Sequence, residues 1–169
     1  SAGFDLIEVQ GGHGYLMSQF ANDKINKRSD RYGENLLAFA EEVLKTVLDE
    51  AGDLPVIFRV SGNEMSTEFG LSPQRNIELI NFAEKLGVKA LHVSMGNACF
   101  SPPWYYHHGS LPEKPQIEAL KYIRVNTSLP IIAAGRMGRK EKIEQLLKDD
   151  LADFIALGRP LIADSSLIE

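Results

Sequence analysis

The sequence predicts an α/β fold in which about five parallel β-strands alternate with flanking helices. Two observations lead to this prediction. Five short apolar runs rich in β-branched residues are each bounded by Gly or Pro, as strands are. Segments with helical periodicity lie between consecutive runs, and such alternation gives a parallel sheet with right-handed crossovers.

The predicted strands are mostly continuous in their apolar character, which is typical of strands covered on both faces in a parallel sheet. In chain order they are "FDLIEV" (4–9), "PVIFRVS" (55–61), "ALHVSM" (90–95), "PIIAAG" (130–135) and "DFIALG" (153–158). Polar or glycine residues follow nearly every strand, and the candidate functional residues are found among them.

Four longer segments have the apolar spacing of amphipathic helices. They are residues 34–52, 72–87, 115–127 and 139–150. In the second of these, Ser72 is the predicted N-cap, Pro73 takes the first helical position and Gly87 is the predicted left-handed terminator. Gly52 ends the first segment in the same way.

Two architectures contain such an alternation: an open doubly wound sheet and a (β/α)8 barrel. The first strand-to-helix turn lacks the G-x-G-x-x-G pattern of dinucleotide-binding open sheets. Polar residues follow the strands, which is where barrels place their active sites. We therefore expect a partial (β/α)8 TIM barrel, forming a single domain over residues 1–169. A complete barrel has eight strands, so roughly three βα units, of about 30 residues each, are absent.

Composition and charge exclude several classes of protein. The net charge is −5, and acidic and basic residues are interspersed, whereas a nucleic-acid surface needs clustered Lys and Arg. The one basic cluster, residues 26–34, also contains acids and is interpreted as a solvated loop or helix entry. No apolar run reaches the roughly 20 residues of a membrane span.

Cysteine usage bears on the compartment. Cys99 is the single cysteine, so an intrachain disulfide is excluded, and this fits a reducing environment. We expect a cytoplasmic protein that acts on a small molecule, without nucleic-acid or membrane partners.

Gln10, His13 and Tyr15 follow the first predicted strand among three glycines. Glycine lets the backbone adopt positive φ or approach a ligand closely. A tyrosine can donate a proton where the site stabilises its phenolate, and His and Gln can hydrogen-bond a carbonyl oxygen. The alternative interpretation is a glycine-rich turn with a partly buried tyrosine and a surface histidine.

Arg59 lies inside the otherwise apolar strand 55–61. A buried guanidinium needs an anionic or strongly accepting partner, because an unpaired buried charge is costly. Two partners are open at this point: the carboxylate of Glu8 on the preceding strand, or a bound ligand with electron-rich oxygens.

Gly-Arg pairs follow the last two predicted strands. They are Gly135-Arg136 and Gly158-Arg159. In barrels, backbone N–H groups after the seventh and eighth strands commonly bind phosphate, and an adjacent arginine adds a charged donor. The alternative is a pair of ordinary turns with exposed arginines.

The longest irregular segment, residues 95–115, is here called the aromatic loop because it contains "PPWYY". Loops of this length in compact domains are usually functional, so we interpret it as a mobile cover over a pocket. His107 and His108 are adjacent, which is not the spacing of a helical metal pair, and no metal is expected. Cys99 has no evident base partner and is expected to be inert.

Together these motifs resemble the old yellow enzyme family of FMN-dependent NAD(P)H oxidoreductases, particularly bacterial NADH:flavin oxidoreductases and 2,4-dienoyl-CoA reductases. "AGFDLIEVQGGHGYLMSQF" resembles the family's fourth strand and active-site loop. "NKRSDRYG", "FRVSG", "SPPW", "PIIAAGRM" and "ALGRPLIAD" follow in the family's order. The resemblance covers essentially the whole chain and implies strands four to eight of an FMN-binding TIM barrel.

The resemblance also implies a role for each candidate residue. Tyr15 would donate a proton to the α-carbon of an activated alkene, an α,β-unsaturated carbonyl compound or an enoyl or dienoyl thioester. His13 and Gln10 would bind the carbonyl oxygen of this substrate, and Arg59 would contact the flavin edge where negative charge accumulates. NAD(P)H would be the reductant. The residues that would hold the FMN phosphate are Gly135, Arg136, Gly158 and Arg159.

Besides lacking the family's first three strands, the sequence departs from the family pattern at two places. The family often has His where Gln10 stands, and because Gln cannot become cationic we expect an altered substrate preference. The usual "YGGSLENRxRF" is shortened to "YGENLLAF" (32–39), so its Asn–Arg contacts are expected to be lost.

A partial barrel has two unpaired sheet edges. We therefore expect the isolated chain to bind FMN poorly or to form a homo-oligomer through those edges. Two other functions stay open. One is a phosphate-binding barrel isomerase or aldolase, which would need a strand-end Lys or paired carboxylates. The other is a non-catalytic barrel that no longer binds flavin.

Overall fold

The structure, a computed structural model, describes residues 2–168. Its strands are β1 (Ile7–Gln10), β2 (Val56–Ser61), β3 (Ala90–Ser94), β4 (Ile131–Ala134) and β5 (Phe154–Ala156). Its longer helices are α3 (Ala38–Ala51), α4 (Pro73–Leu86), α6 (Lys114–Arg124) and α7 (Lys140–Lys148). These elements confirm the five strands and four helices predicted from the sequence.

Four short helices were not predicted as separate elements. They are α1 (Leu16–Ala21), α2 (Arg31–Glu34), α5 (Pro102–Tyr105) and α8 (Arg159–Ala163). The second of these lies in the basic cluster 26–34, and α5 lies in the aromatic loop. Among residues 2–168, no helix combines the length and the apolar character needed to cross a membrane.

The strands form one parallel sheet in the order β1-β2-β3-β4-β5. Each strand thus pairs with its neighbour in the chain, whereas an open doubly wound sheet reverses its order at a switch point. With right-handed crossovers, an unreversed order puts every connecting helix on the same face of the sheet. This is the arrangement of consecutive strands in a (β/α)8 barrel, so the prediction of a partial barrel is confirmed.

The hydrophobic core lies between the sheet and this layer of helices. Phe58 of β2, Leu91 of β3 and Ile131 of β4 are completely buried, as are Leu44 of α3 and Leu79 of α4. Burying a side chain of this size stabilises the fold by about 1.5–3 kcal/mol, which explains why the continuous apolar runs became strands.

Side chains on the other face of the sheet alternate with those of the core. Glu8, Arg59 and His92 lie there on three successive strands, and Phe154 of β5 is 60% exposed. The register aligns Gln10 with Arg59 and Arg59 with His92. This face, which would be the interior of a closed barrel, therefore carries polar residues towards the carboxyl ends of the strands.

The helix ends follow the predicted local signals. Ser72 Oγ accepts a hydrogen bond from the N–H of Arg75 at 3.2 Å, and Pro73 begins α4. Gly87 ends this helix with φ 109°, and Gly52 ends α3 with φ 58°. Both values lie in the region that glycine adopts most readily, so these termini were predictable from the sequence.

Candidate active site

The carboxyl ends of β2 to β5 border a cavity of about 300 Å³. His92 of β3 and His107 of the aromatic loop contribute to its lining. The lining also includes all five residues predicted to bind the cofactor, namely Arg59, Gly135, Arg136, Gly158 and Arg159. Parallel strands end at the same edge, which explains how residues far apart in the sequence meet here.

Arg59 and His92 share a carboxylate partner. Glu8 Oε2 lies 2.7 Å from His92 Nδ1, and Glu8 Oε1 lies 3.8 Å from Arg59 Nη1. The hydrogen bond with His92 holds the pKa of Glu8 below its ordinary value; burial opposes this shift, and the charges of His92 and Arg59 support it. Glu8 is one of the two partners expected for Arg59. It pairs with the guanidinium electrostatically, because the distance between Oε1 and Nη1 is longer than a hydrogen bond.

The Glu8 contacts leave two polar atoms unsatisfied. In the described part of the chain, Arg59 Nε and His92 Nε2 are the buried side-chain nitrogens without a hydrogen-bond partner. Buried polar groups in native structures nearly always have a partner, and an unmade hydrogen bond costs about 1–3 kcal/mol. Both residues line the cavity, so a ligand with acceptor atoms would satisfy the N–H of Arg59.

The turn after β4, residues 134–137, is here called the Gly135 turn. Gly135 and Arg136 both have positive φ, 97° and 58°. A Cβ atom on Gly135 would overlap the imidazole of His107, so the aromatic loop lies directly on this backbone. Gly158 differs, because a Cβ there would meet no atom within 4 Å.

Both arginines of the Gly-Arg pairs hold the aromatic loop. The Arg136 guanidinium donates to the carbonyl oxygens of Leu111 and, at 3.1 Å, Gly109. Arg159 Nη2 donates to the carbonyl oxygen of Tyr106 at 2.9 Å. The loop therefore occupies donors that were predicted to bind phosphate, as the expected cover over a pocket would.

The pKa of His107 depends on its burial and on the charges around it. Burial lowers its pKa to about 4, and the positive charges of Arg159, Lys142, Arg59 and Arg136 contribute. The ring is therefore neutral at pH 7. Burial disfavours any charge at this position, whereas the four cations disfavour the imidazolium alone and would favour an anion.

His13 is completely buried, so the alternative of a surface histidine is wrong. Its Nε2 contacts Ser94 Oγ and its Nδ1 lies 3.3 Å from Gln10 Oε1, which is also 3.4 Å from the N–H of Gly12. Burial, followed by the charge of Arg59, lowers the pKa of His13 to about 3. Both ring nitrogens already have protein partners, so binding a carbonyl oxygen requires one of these contacts to be exchanged.

Tyr15 is 42% exposed, and its hydroxyl lies 2.8 Å from the hydroxyl of Tyr105 in the aromatic loop. This hydrogen bond raises the pKa of Tyr15. The ring of Tyr105 also packs edge-on against His13, with centroids 5.7 Å apart. Sequence reasoning predicted an aromatic cover here but missed Tyr105 as the partner of Tyr15, because nothing local connects residues 90 positions apart.

Glu64 is a second residue that sequence reasoning missed. Its carboxylate is 3% exposed and accepts hydrogen bonds from the N–H groups of Gly14 (2.9 Å) and Leu71 (3.0 Å) and from Asn97 Nδ2 (2.9 Å). It therefore joins the loop that carries Tyr15 to the loop after β2 and to the start of the aromatic loop. A charged residue just after a strand was the available signal.

The buried, neutral state of His13 predicts a pH dependence of stability. Its pKa is about 3 when folded against 6.5 ordinarily, so below pH 6.5 the unfolded chain binds more protons and the free energy of unfolding falls. At pH 5 the loss from this residue is about 2 kcal/mol. Urea unfolding at pH 7, 6 and 5 should show a weaker pH dependence for His13→Gln than for the wild type. The exposed His108, replaced in the same way, should leave the dependence unchanged; an identical slope for His13→Gln would contradict the assignment.

The candidates thus fall into two connected groups. Arg59 and the two Gly-Arg pairs share one cavity, and His13 and Tyr15 lie at the adjacent end of β1. Tyr105 and His107, close together in the aromatic loop, contact one group each. The charge of Arg59 also affects the pKa of both His13 and Tyr15.

Comparison with known proteins gives relatives over the whole chain. The sequence profile of the NADH:flavin oxidoreductase / NADH oxidase family matches residues 1–169. An NADH oxidase of Thermoanaerobacter brockii is 33% identical over 165 residues, covering 95% of this chain and 25% of the relative. A cinnamate reductase of Clostridium sporogenes is 34% identical over 189 residues, covering 98% of this chain and 28% of the relative.

Solved structures agree with the fold. A complex of 2-naphthoyl-CoA reductase with 2-naphthoyl-CoA superposes with a TM-score of 0.85 at 26% identity. The match covers 98% of this chain and 26% of that structure. The chain therefore spans about a quarter of the length of each of these three proteins.

Proposed function

Because the chain belongs to the NADH:flavin oxidoreductase / NADH oxidase family, we propose that its strand-end site binds FMN and, with NAD(P)H as reductant, reduces an activated alkene. The observation that carries the proposal is the convergence of all five predicted cofactor residues on one cavity. The activity is proposed for the complete gene product, since the chain corresponds to only part of its relatives' length.

The residues at the inner end of the cavity suit the pyrimidine edge of a flavin. Arg59 Nε is buried without a partner and can donate to an electron-rich oxygen or nitrogen. Glu8 holds His92 through the hydrogen bond with Nδ1 and attracts the guanidinium of Arg59 electrostatically across 3.8 Å. Arg59 is therefore oriented before a ligand binds. A cation at this edge favours the reduced flavin, because negative charge accumulates there on reduction.

The residues at the outer end suit a phosphate. Arg136, Arg159 and the backbone of Gly135 and Gly158 would bind its oxygens. His107 lies directly on Gly135, so a phosphate that contacted this backbone from the same side would displace the imidazole, and a phosphate bound by both arginines would replace their contacts with the aromatic loop.

When bound in this cavity, FMN would supply the hydride chemistry that connects NAD(P)H with the β-carbon of the alkene. The chain itself supplies the proton. Tyr15 O–H would donate it to the α-carbon, and the hydroxyl of Tyr105, 2.8 Å away, would then turn to donate a hydrogen bond to the phenolate that forms. His13 and Gln10 would position and polarise the substrate carbonyl.

The names of the relatives agree with a conjugated carbonyl substrate. Cinnamate and 2-naphthoyl-CoA both carry an unsaturated system next to a carboxylate or thioester carbonyl. The neutral Gln10 and the low pKa of His13 provide no cationic donor at this end of the site near pH 7. We therefore propose an uncharged carbonyl, as in an enone or a thioester, as the group that this site polarises.

A flavin titration tests the site. We expect the fluorescence of FMN to be quenched or shifted when FMN binds the complete gene product, and we expect Arg159→Ala to weaken this binding about 10–100-fold, because it removes a charged donor to the phosphate. Arg75→Ala on the outer helix α4 is the matched control and should have no effect. Absence of FMN binding in the complete gene product would favour the non-catalytic barrel instead.

A further inference from the structure

Lys142 is a buried charged residue that the proposed chemistry does not use. It lies on α7, and its side chain is only 5% exposed. Its Nζ lies 2.9 Å from Gln116 Oε1, 3.4 Å from the carbonyl oxygen of Arg136 and 3.7 Å from Glu113 Oε1. An ammonium is rarely buried unless its contacts compensate for lost hydration. The burial of Lys142 next to the Gly135 turn therefore suggests a specific role.

Gln116 connects Lys142 to the turn. It is 6% exposed, and its Nε2 donates to the carbonyl oxygens of Ala134 at 2.8 Å and Gly135 at 3.1 Å. Because its Oε1 accepts from Lys142, only this orientation of the amide satisfies all its contacts. The carbonyls of residues 134, 135 and 136 are therefore held from one side, two by Gln116 and one by Lys142.

This arrangement orients the N–H groups of the turn. In a trans peptide the N–H points opposite to the carbonyl of the preceding residue. Carbonyls that face Gln116 and Lys142 therefore direct the N–H groups of Arg136 and Met137 the other way, and both residues line the cavity. Lys142 thereby orients hydrogen-bond donors that it does not itself provide.

Lys142 also adds positive charge where the turn faces the cavity. Its charge is one of the four that lower the pKa of His107, whose ring lies on Gly135. A buried charge is screened less than a surface charge and acts over a longer distance.

We propose that Lys142 is a positioning residue for a dianionic phosphate monoester bound at the Gly135 turn, acting through Gln116 and the backbone of residues 135–137. This inference rests on the proposed function in that FMN is the monoester expected there. Lys142 itself would not touch the phosphate, whereas the Gly-Arg pairs would touch it directly.

Riboflavin, which lacks the phosphate, distinguishes this role from general support of the fold. In the complete gene product, we expect Lys142→Met to weaken FMN binding about tenfold and riboflavin binding less than twofold. Lys142→Gln, which keeps a hydrogen-bonding group, should weaken FMN binding to an intermediate extent. Lys140→Met, an exposed residue on the same helix, should change neither. Equal weakening of FMN and riboflavin, or no weakening of FMN, would overturn the proposal.

A second measurement needs no flavin and separates this proposal from the proposed function. In the ligand-free chain, followed by NMR of the His107 ring, Lys142→Met should raise the His107 pKa from about 4. Inorganic phosphate should shift the same signal at about tenfold higher concentration in the variant than in the wild type. If the wild type bound no flavin, the proposed function would fail. An unchanged His107 pKa together with an unchanged phosphate response would then overturn the role of Lys142.

Discussion

Replacing Tyr15 by Phe in the complete gene product is expected to slow reduction of a conjugated enone about 10²–10⁴-fold, the usual contribution of a positioned general acid. Reduction of the flavin by NAD(P)H should change less than about twofold, because that step needs no proton from the phenol. Stopped-flow absorbance can measure the two half-reactions separately, with cyclohexenone and a dienoyl thioester as acceptors.

Two tyrosines of the aromatic loop provide comparison variants for Tyr15→Phe. Tyr106 is 65% exposed, and its ring packs against Tyr105 rather than bonding to Tyr15, so Tyr106→Phe should leave both half-reactions unchanged. Tyr105→Phe removes the hydroxyl that would stabilise the phenolate of Tyr15 after proton transfer, so it should slow alkene reduction to an intermediate extent. Equal slowing of both half-reactions by Tyr15→Phe would remove this residue from the proton-donor role.

Replacing Glu64 by Ala is expected to lower the free energy of unfolding by about 3–5 kcal/mol. The substitution leaves the N–H groups of Gly14 and Leu71 and the amide of Asn97 without their acceptor in a buried position. Since one of these donors precedes Tyr15, the variant should also lose order in the loop that carries the phenol. Urea unfolding measures the first effect, and amide hydrogen exchange at Gly14 measures the second.

Two variants sharpen this test. Glu64→Gln replaces one carboxylate oxygen by an NH₂ group, so at least one of the three donors loses its acceptor, and the variant should cost less than Ala but still more than about 1 kcal/mol. Glu68→Ala, at an exposed position in the same loop, should change the free energy of unfolding by less than about 0.5 kcal/mol. A loss below 1 kcal/mol for Glu64→Ala would contradict the role of this carboxylate in joining the three loops.

The parts of the fold that were predictable depend on local physics. Apolar runs marked the strands because the core face of each strand packs against the helices, although the other face carries Glu8, Arg59 and His92 rather than being covered as expected. Ser72 and Gly87 marked the ends of α4 because caps act within one turn. Short helices such as α5 and α8 have too few residues for a periodic pattern, so only the path of the loop determines them.

The same distinction applies to the site. Arg59 and the Gly-Arg pairs were predictable because parallel strands end at one edge, so residues just past those ends meet whatever their separation in sequence. The contact of His107 with Gly135, the pairing of Tyr105 with Tyr15 and the burial of Lys142 depend instead on how one long loop folds back and how two helices pack. Such contacts leave no pattern of spacing in the sequence.

The position of His107 on Gly135 has an energetic consequence for cofactor uptake. If the flavin phosphate binds there as proposed, loop and phosphate would compete for the same backbone, and only molecules whose loop has moved away would accept the cofactor. If one molecule in a hundred is open, the measured affinity is about 100-fold weaker than the intrinsic one. The closed loop would then act as a threshold for binding. Small phosphates with few other contacts would fail to displace the histidine at low concentration, whereas a flavin that makes contacts along the whole cavity would succeed.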